Sequence, residues 1–329
     1  MTKVCIVHWC QGAGHAARSI PVAQELEERG CDVSLEGGGP GQIFTEMNGY
    51  GSSTYEFEQV PVIDKSLRSV IVRGLAEVLP SALKRLRTSF QFLRDEEPDL
   101  IITDDHTTII AASLMRKKFY TVNHVRPDFF DGLEKLAADL FDGFSTLAGN
   151  EIFFTCLWSH EEGKNSVEYV NPLAQQGEGD VEPYDVLLIP GSFGSGFSEL
   201  RDRLEKKNLD VRTVGDDDWE TKPSMSPYTE AAGCVVCTGF SSIADSVVAN
   251  TPCVVYPNLH MQEKLAQQID RRNISGIETA YSEQEVIDSV TSMLKSSYDT
   301  PQFSNGANEI ADYVLDHEEH RLNAGEDAQ

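Results

Sequence analysis

Short apolar runs alternate along the chain with longer stretches in which apolar residues recur at helical spacing. Strands joined by helices pair in parallel, so this alternation predicts parallel α/β sheets. Strands are expected near 3–8, 31–36, 99–104, 119–124 and 152–156, and helices near 16–29, 66–79, 81–94, 107–117 and 132–142. Pro21 is placed in the first turn of its helix and Gly30 at that helix's end. The breaker-rich loop at 37–54 is expected to border a cleft. The stretch Asn171 to Pro183 has linker composition, with Gly177-Glu178-Gly179-Asp180 inside it. Beyond it the pattern resumes, with strands near 185–189, 210–214, 234–238, 253–257 and 277–279 and helices near 197–206, 241–249, 261–272 and 283–295. A last helix near 306–316 is expected to pack back across the boundary, ahead of a charged, frayed tail. The predicted organisation is a first domain over 1–170, a linker over 171–183, a second domain over 184–315 and an acidic tail over 316–329.

Two glycine-rich turns sit about 180 residues apart, each after a strand-like run and each opening a helix. The first is Val4-Cys5-Ile6-Val7-His8 followed by Gly12-Ala13-Gly14-His15, and the second is Val186-Leu187-Leu188-Ile189 followed by Pro190-Gly191-Ser192-Phe193-Gly194. A helix N-terminus reached through glycine-rich backbone aims unpaired N–H groups and a positive dipole end at one spot, which suits an anion. Two such spots imply an α/β fold of two Rossmann-like domains facing a cleft.

The first turn formally fits a dinucleotide fingerprint, with Glu36 about 20 residues on. Its first glycine follows the strand by several residues, His15 occupies the turn, and a second anion spot exists, all of which weigh against that assignment. His15, in a turn facing the cleft, is the first candidate for proton transfer, with capping of its own turn as the plain alternative. Arg18, one turn later, is a candidate for offsetting phosphate charge. Asp104 and Asp105 follow the strand Leu100-Ile101-Ile102, where strand ends line an α/β crevice, and His124 ends the next strand. Either aspartate is a rival base, or a helix cap for the segment opening at His106.

These residues resemble a known family. Gly14-His15 with Arg18 is similar to the start of archaeal and bacterial glycosyltransferases of family 28 type, MurG-like enzymes with the two-domain GT-B fold. The second half carries the more specific match: Pro190-Gly191-Ser192-Phe193-Gly194, then Gly239-Phe240-Ser241-Ser242-Ile243-Ala244-Asp245, then Thr251-Pro252 and Tyr256-Pro257, then His260-Met261-Gln262. The resemblance implies a nucleoside-diphosphate sugar as donor. Its phosphates would meet N–H groups at Ser192-Phe193-Gly194 and Ser241-Ser242-Ile243, its ribose Asp245, and its sugar Gln262, with His260 and Met261 beside it. Where the family carries Glu, this chain has Asp245; where it carries Asn, this chain has Leu265. The resemblance alone implies inversion at the sugar and recognition of a base near Thr221 to Ser224. No cofactor and no metal are expected, since helix dipoles offset leaving-group charge. Three rivals remain: a nucleotide-sugar epimerase of the same fold, a non-catalytic sugar-nucleotide-binding subunit, and an NAD-dependent oxidoreductase.

Composition changes this picture in three ways. The chain has 329 residues, 40% of them hydrophobic, and a net charge of −26, which fits a saline cytoplasm and argues against nucleic acid. No apolar run approaches the roughly 20 residues of a membrane span and the start leads into a strand, so a cytoplasmic protein is expected. Against that acidity, Lys65 to Arg94 holds seven basic residues and one acid, Glu77, a net +6. Helical spacing with a break at Pro80 predicts two helices there. Their basic faces are either merely solvated or a surface for an anionic, lipid-linked acceptor or for headgroups at the inner face of a membrane. Seven cysteines lie mostly in apolar strands, and Cys234 and Cys237 should point to opposite faces of one strand, so no metal role is expected for them. Asp216-Asp217-Asp218 is read as a solvated loop.

Overall fold

The computed structural model describes residues 1–51, 54–60, 78–146, 150–158, 166–177, 179–191, 197–217, 219–296, 298 and 303–326. The expected helix at 66–79 falls almost wholly outside them, as do Lys65, Arg68, Arg73, Ser192, Phe193, Gly194 and Asp218.

Two fully parallel sheets form the frame. The first has six strands in the order β2-β1-β3-β4-β5-β6, namely β1 Lys3–Val7, β2 Asp32–Glu36, β3 Leu100–Thr103, β4 Phe119–Asn123, β5 Glu151–Thr155 and β6 Val167–Val170. The second has five in the order β11-β10-β9-β7-β8, namely β7 Tyr184–Ile189, β8 Val211–Thr213, β9 Ala232–Cys237, β10 Cys253–Val255 and β11 Ile277–Thr279. Burial on both faces explains why the central strands read as continuous apolar runs. The sequence pattern does not reveal β6, a short edge strand in which Glu168 is exposed.

Helices cover both sheets. In the first half they are α1 Gly14–Glu28, α2 Gln42–Met47, α3 Leu79–Glu96, α4 His106–Met115 and α5 Gly132–Ser145. In the second they are α6 Ser198–Glu205, α7 Ser226–Ala231, α8 Phe240–Val248, α9 His260–Arg272, α10 Glu283–Met293 and α11 Gly306–Glu326. Pro80 stands in the first turn of α3, where its missing N–H leaves no helical bond unmade. Pro21 corrects the expectation: α1 begins at Gly14, so Pro21 lies inside the helix and gives up one helical hydrogen bond. Gly30, at φ +84°, ends that segment as expected. Two short helices, α2 and α7, occupy segments the pattern leaves as loop.

Cys234 and Cys237 do face opposite sides of β9, in separate buried clusters. The cluster around Cys237 is continuous between the two halves, joining Phe129, Ile152 and Phe154 to Leu187, Val235 and Ile243. Helix α11 returns to the first half, where Ala307, Ile310, Ala311 and Val314 pack with Val4, Ile20 and Tyr120. The helix continues past Asp316, where the sequence predicts a frayed tail.

Candidate active site

In a parallel sheet, ligands bind where neighbouring strands send their connections in opposite directions. In the first sheet that point lies between β1 and β3, and in the second between β7 and β9. His8 and Asp104 follow the first pair, while Pro190-Gly191 and Thr238-Gly239 follow the second. The two points face each other. The hydroxyl of Ser241, in the first turn of α8, donates to the carbonyl of Gly14 at the start of α1 across 2.8 Å. A Cβ added at Gly14 would stand 2.8 Å from that hydroxyl oxygen, so glycine is what allows the approach.

Four predicted residues of the first half converge. His15 Nδ1 lies 2.8 Å from Asp104 Oδ2, Arg18 Nε donates to the same oxygen at 2.8 Å, and Arg18 Nη1 donates to His124 Nδ1 at 2.6 Å. The backbone N–H of Trp9 donates to Asp104 Oδ1 at 2.5 Å. Asp104 and Arg18 side chains are each 5% exposed, while that of His15 is 24% exposed and open to the cleft. Burial pushes the Asp104 carboxyl up, but Arg18 and His15 outweigh it and hold the group far below the usual carboxylate range. Burial and the Arg18 charge lower His15, against the pull of Asp104, which favours the uncharged imidazole. Burial and the same guanidinium lower His124 well below an ordinary histidine. Arg18 is therefore committed inside the protein and is not a free phosphate ligand as the sequence reading allows.

For Asp105 the helix-cap alternative holds. It is fully buried, caps α4 by accepting from the Thr107 N–H at 2.9 Å, and takes the Arg85 Nε–H at 3.0 Å. Its carboxylate is closed off from solvent, whereas that of Asp104 bonds to His15. Arg85 is a residue the sequence reading places on the wrong side. Counted there with the basic surface, it is wholly buried and also donates to the carbonyls of His8 and Gly37. The one hint in the sequence is that Arg85 stands two helical turns before Phe92, a core position of α3, and a cation at such a place still reads as solvated.

In the second half, Gly239 stands at the N-cap of α8, with no side-chain cap among the described residues. Its first N–H groups thus remain available to an anion. Gly191, at φ +70°, packs so close to Thr238 that a Cβ would meet its hydroxyl at 2.8 Å, drawing the two turns together. Gln262 accepts from the N–H groups of Asn258 and Leu259 through Oε1, and its amide nitrogen has no hydrogen-bond partner among the described residues. That nitrogen lies 3.9 Å from where a Cβ on Gly239 would be. His260 and Met261 are about half exposed at the start of α9, and His260 Nε2 is 3.4 Å from Glu134 of α5. Asp245 lines a cavity of about 430 Å³ with Gln175, Gln176, Gly177 and Ser226, and burial pushes its carboxyl up to about 7. Leu265 is buried at 3% and belongs to the core. Among the described residues, no three His, Cys, Asp or Glu side chains group to hold a metal ion, and Asp216 is paired with Arg201 at 2.5 Å.

No protein family matches the chain by sequence profile, and no curated protein matches it either. Solved structures do. The glycosyltransferase of kitacinnamycin is 14% identical over 95% of this chain and 98% of its own, with a TM-score of 0.64. The Streptomyces sp. SF2575 glycosyltransferase SsfS6, complexed with thymidine diphosphate, is 14% identical over 96% of this chain and all of its own, with a TM-score of 0.60. The spinosyn rhamnosyltransferase SpnG, complexed with spinosyn aglycone, is 14% identical over 95% of both chains, with a TM-score of 0.59. The fold is thus the two-domain GT-B architecture of glycosyltransferases. The narrower family 28 likeness has no counterpart among these matches.

Proposed function

We propose that this chain is a glycosyltransferase that moves a hexose or N-acetylhexosamine from a nucleoside-diphosphate sugar to an acceptor hydroxyl. The observation that carries the reading is His15 against Asp104, with the uncapped start of α8 brought to the same place by the Ser241–Gly14 contact. In the productive tautomer, His15 Nδ1–H donates to Asp104 and Nε2 keeps its lone pair. Nε2 takes the acceptor proton as the acceptor oxygen bonds to the anomeric carbon, and the bond to the nucleoside diphosphate breaks. The leaving diphosphate gathers negative charge at the start of α8, whose dipole and N–H groups offset it without a metal. Attack from the face opposite the leaving group inverts the anomeric centre. Asp245 and its cavity would hold the ribose, and the free amide of Gln262 the sugar.

The acceptor fits a lipid-linked molecule at the inner face of a membrane. α3 exposes Leu79, Leu83, Lys84, Arg87 and Arg94 along one face, and α5 exposes Leu133, Leu136 and Leu140. Apolar and cationic groups side by side suit a polyprenyl or acyl chain carrying phosphate. No helix among the described residues is long and apolar enough to cross a membrane. The second reading, a sugar-nucleotide-binding subunit without activity, is favoured by Leu265, which the core withdraws from any sugar.

Thermal-shift measurements in high salt against UDP, dTDP, GDP and their sugars test the donor site, because a ligand of the folded state raises its stability. One nucleotide and its sugar should stabilise the protein. Transfer that survives His15→Ala would remove the catalytic assignment.

A further inference from the structure

His15 has two neighbours that compete for one atom. Its Nδ1 is 2.8 Å from Asp104 Oδ2 and 2.7 Å from Arg18 Nη2. A ring nitrogen carries either a proton or a lone pair, so Nδ1 donates to Asp104 or accepts from Arg18, never both. The first arrangement leaves Nε2 able to take a proton, while the second puts a hydrogen on Nε2 and closes that route. An isolated His–Asp pair favours the imidazolium, and a base already protonated in the free enzyme is of no use. Here the same carboxylate is shared with a guanidinium that never loses its charge.

The groups around His15 come from every neighbouring element: Arg18 on α1, His8 after β1, Arg85 on α3, Asp104 before α4, His106 at its start and His124 after β4. Asp104 favours the charged ring, whereas Arg18 and Arg85 oppose it. Arg18 itself is fixed at its far end by His124, whose ring stacks on Phe240 of the second domain with centroids 5.0 Å apart and planes at 24°. Phe240 is the first residue of α8. A continuous line of contacts therefore runs from His15 through Asp104, Arg18 and His124 to the donor-side helix.

Taking His15 as the base, as proposed above, we infer that Arg18 is a positioning residue that keeps His15 uncharged in the free enzyme. His124, seated on Phe240, holds the guanidinium where it does so. Arg18 touches no reacting atom in this role. The distance between the two domains at α8 thereby bears on the proton affinity of a residue in the other domain.

The test is an NMR titration of the His15 ring in the full chain without ligand, comparing the parent with Arg18→Lys, Arg18→Met and His124→Phe. The parent His15 should titrate below an ordinary histidine. In Arg18→Met the midpoint should move to higher pH, because Asp104 then serves His15 alone. Arg18→Lys, which keeps the charge, should stay near the parent, and His124→Phe should shift in the same direction as Arg18→Met but less. Should Arg18→Met fail to fold, Arg18→Gln keeps a donor for Asp104 without the charge and carries the same expectation. An unchanged midpoint in the uncharged variants overturns the inference and leaves the transfer reading intact. Transfer that survives His15→Ala overturns that reading, while the titration stands on its own.

Discussion

The starts of α1 and α8 occupy corresponding places, each at the switch point of a parallel sheet and each without a side-chain cap. Around α1 the space is taken by charged and titratable side chains that bond to one another: His15, Arg18, Asp104 and His124. Around the start of α8 the residues are small or neutral, and one turn in, Asp245 is lifted by burial with no cation beside it among the described residues. The start of α4 shows what a closed helix end looks like, with Asp105 seated on its N–H groups. The same strand–turn–helix unit thus serves two purposes. One end is filled by side chains bonded to one another, and the other is left open.

The largest effect should come from breaking the filled end. Asp104→Ala leaves the buried Arg18 charge without its partner, and chemical denaturation should show a loss of about 3–5 kcal/mol. Asp245→Ala, which removes a group without an ionic partner, should cost far less, and equal losses at the two sites would erase the distinction. Next in size is catalysis: His15→Ala should slow transfer roughly 10²–10⁴-fold while calorimetry finds nucleotide binding unchanged.

Acid should act on the two ends with opposite sign. His8, fully buried behind the first turn, is lowered to about 4, chiefly by burial. Between that value and the ordinary 6.5 the unfolded chain binds a proton that the folded one refuses, so His8 costs stability as pH falls through this window, by about 3 kcal/mol in all. Asp245 is raised from 3.8 to about 7, so the folded chain keeps a proton the unfolded one has lost, and its contribution declines as pH rises through that range. Denaturation of His8→Phe and Asp245→Asn from pH 4 to 8 should flatten the parent's pH dependence in opposite directions. The smallest effect concerns the join. Gly14→Ala should destabilise by about 1–3 kcal/mol through overpacking, and Ser241→Ala in the same chain should recover part of it. Full additivity of the two would mean that the ends do not meet in solution.

Much of the frame was legible because buried parallel strands are apolar throughout and end in glycine or polar turns, as at Val4–Val7 and Leu187–Ile189. His15 and Asp104 were legible for a related reason, since strand ends and the turns after them line the crevice. Arg85 was not. A cation on an amphipathic helix reads as solvated, and its partners, Asp105 and the carbonyls of His8 and Gly37, are far away in sequence. The burial of Arg18 was hidden for the same reason, since it depends on which neighbour wins a shared carboxylate, whereas the cap formed by Asp105 was one of the two readings its place after β3 allowed. The contact of His124 with Phe240 requires the placement of one domain on the other, which no local pattern encodes.

Helix α11 gives the chain a second crossing between its halves. The backbone passes from first domain to second through 171–183 and comes back before Gly306, where Asn171 binds Glu309 through both its backbone and its side chain. Two crossings lying side by side tie the halves at two points, which resists a twist about a single strand of backbone. Helix α11 also completes the core of the first half, with Ile310 and Val314 each contributing about 1.5–3 kcal/mol by burial. A chain cut before Gly306 would lose this second crossing and lay open the core of its first half.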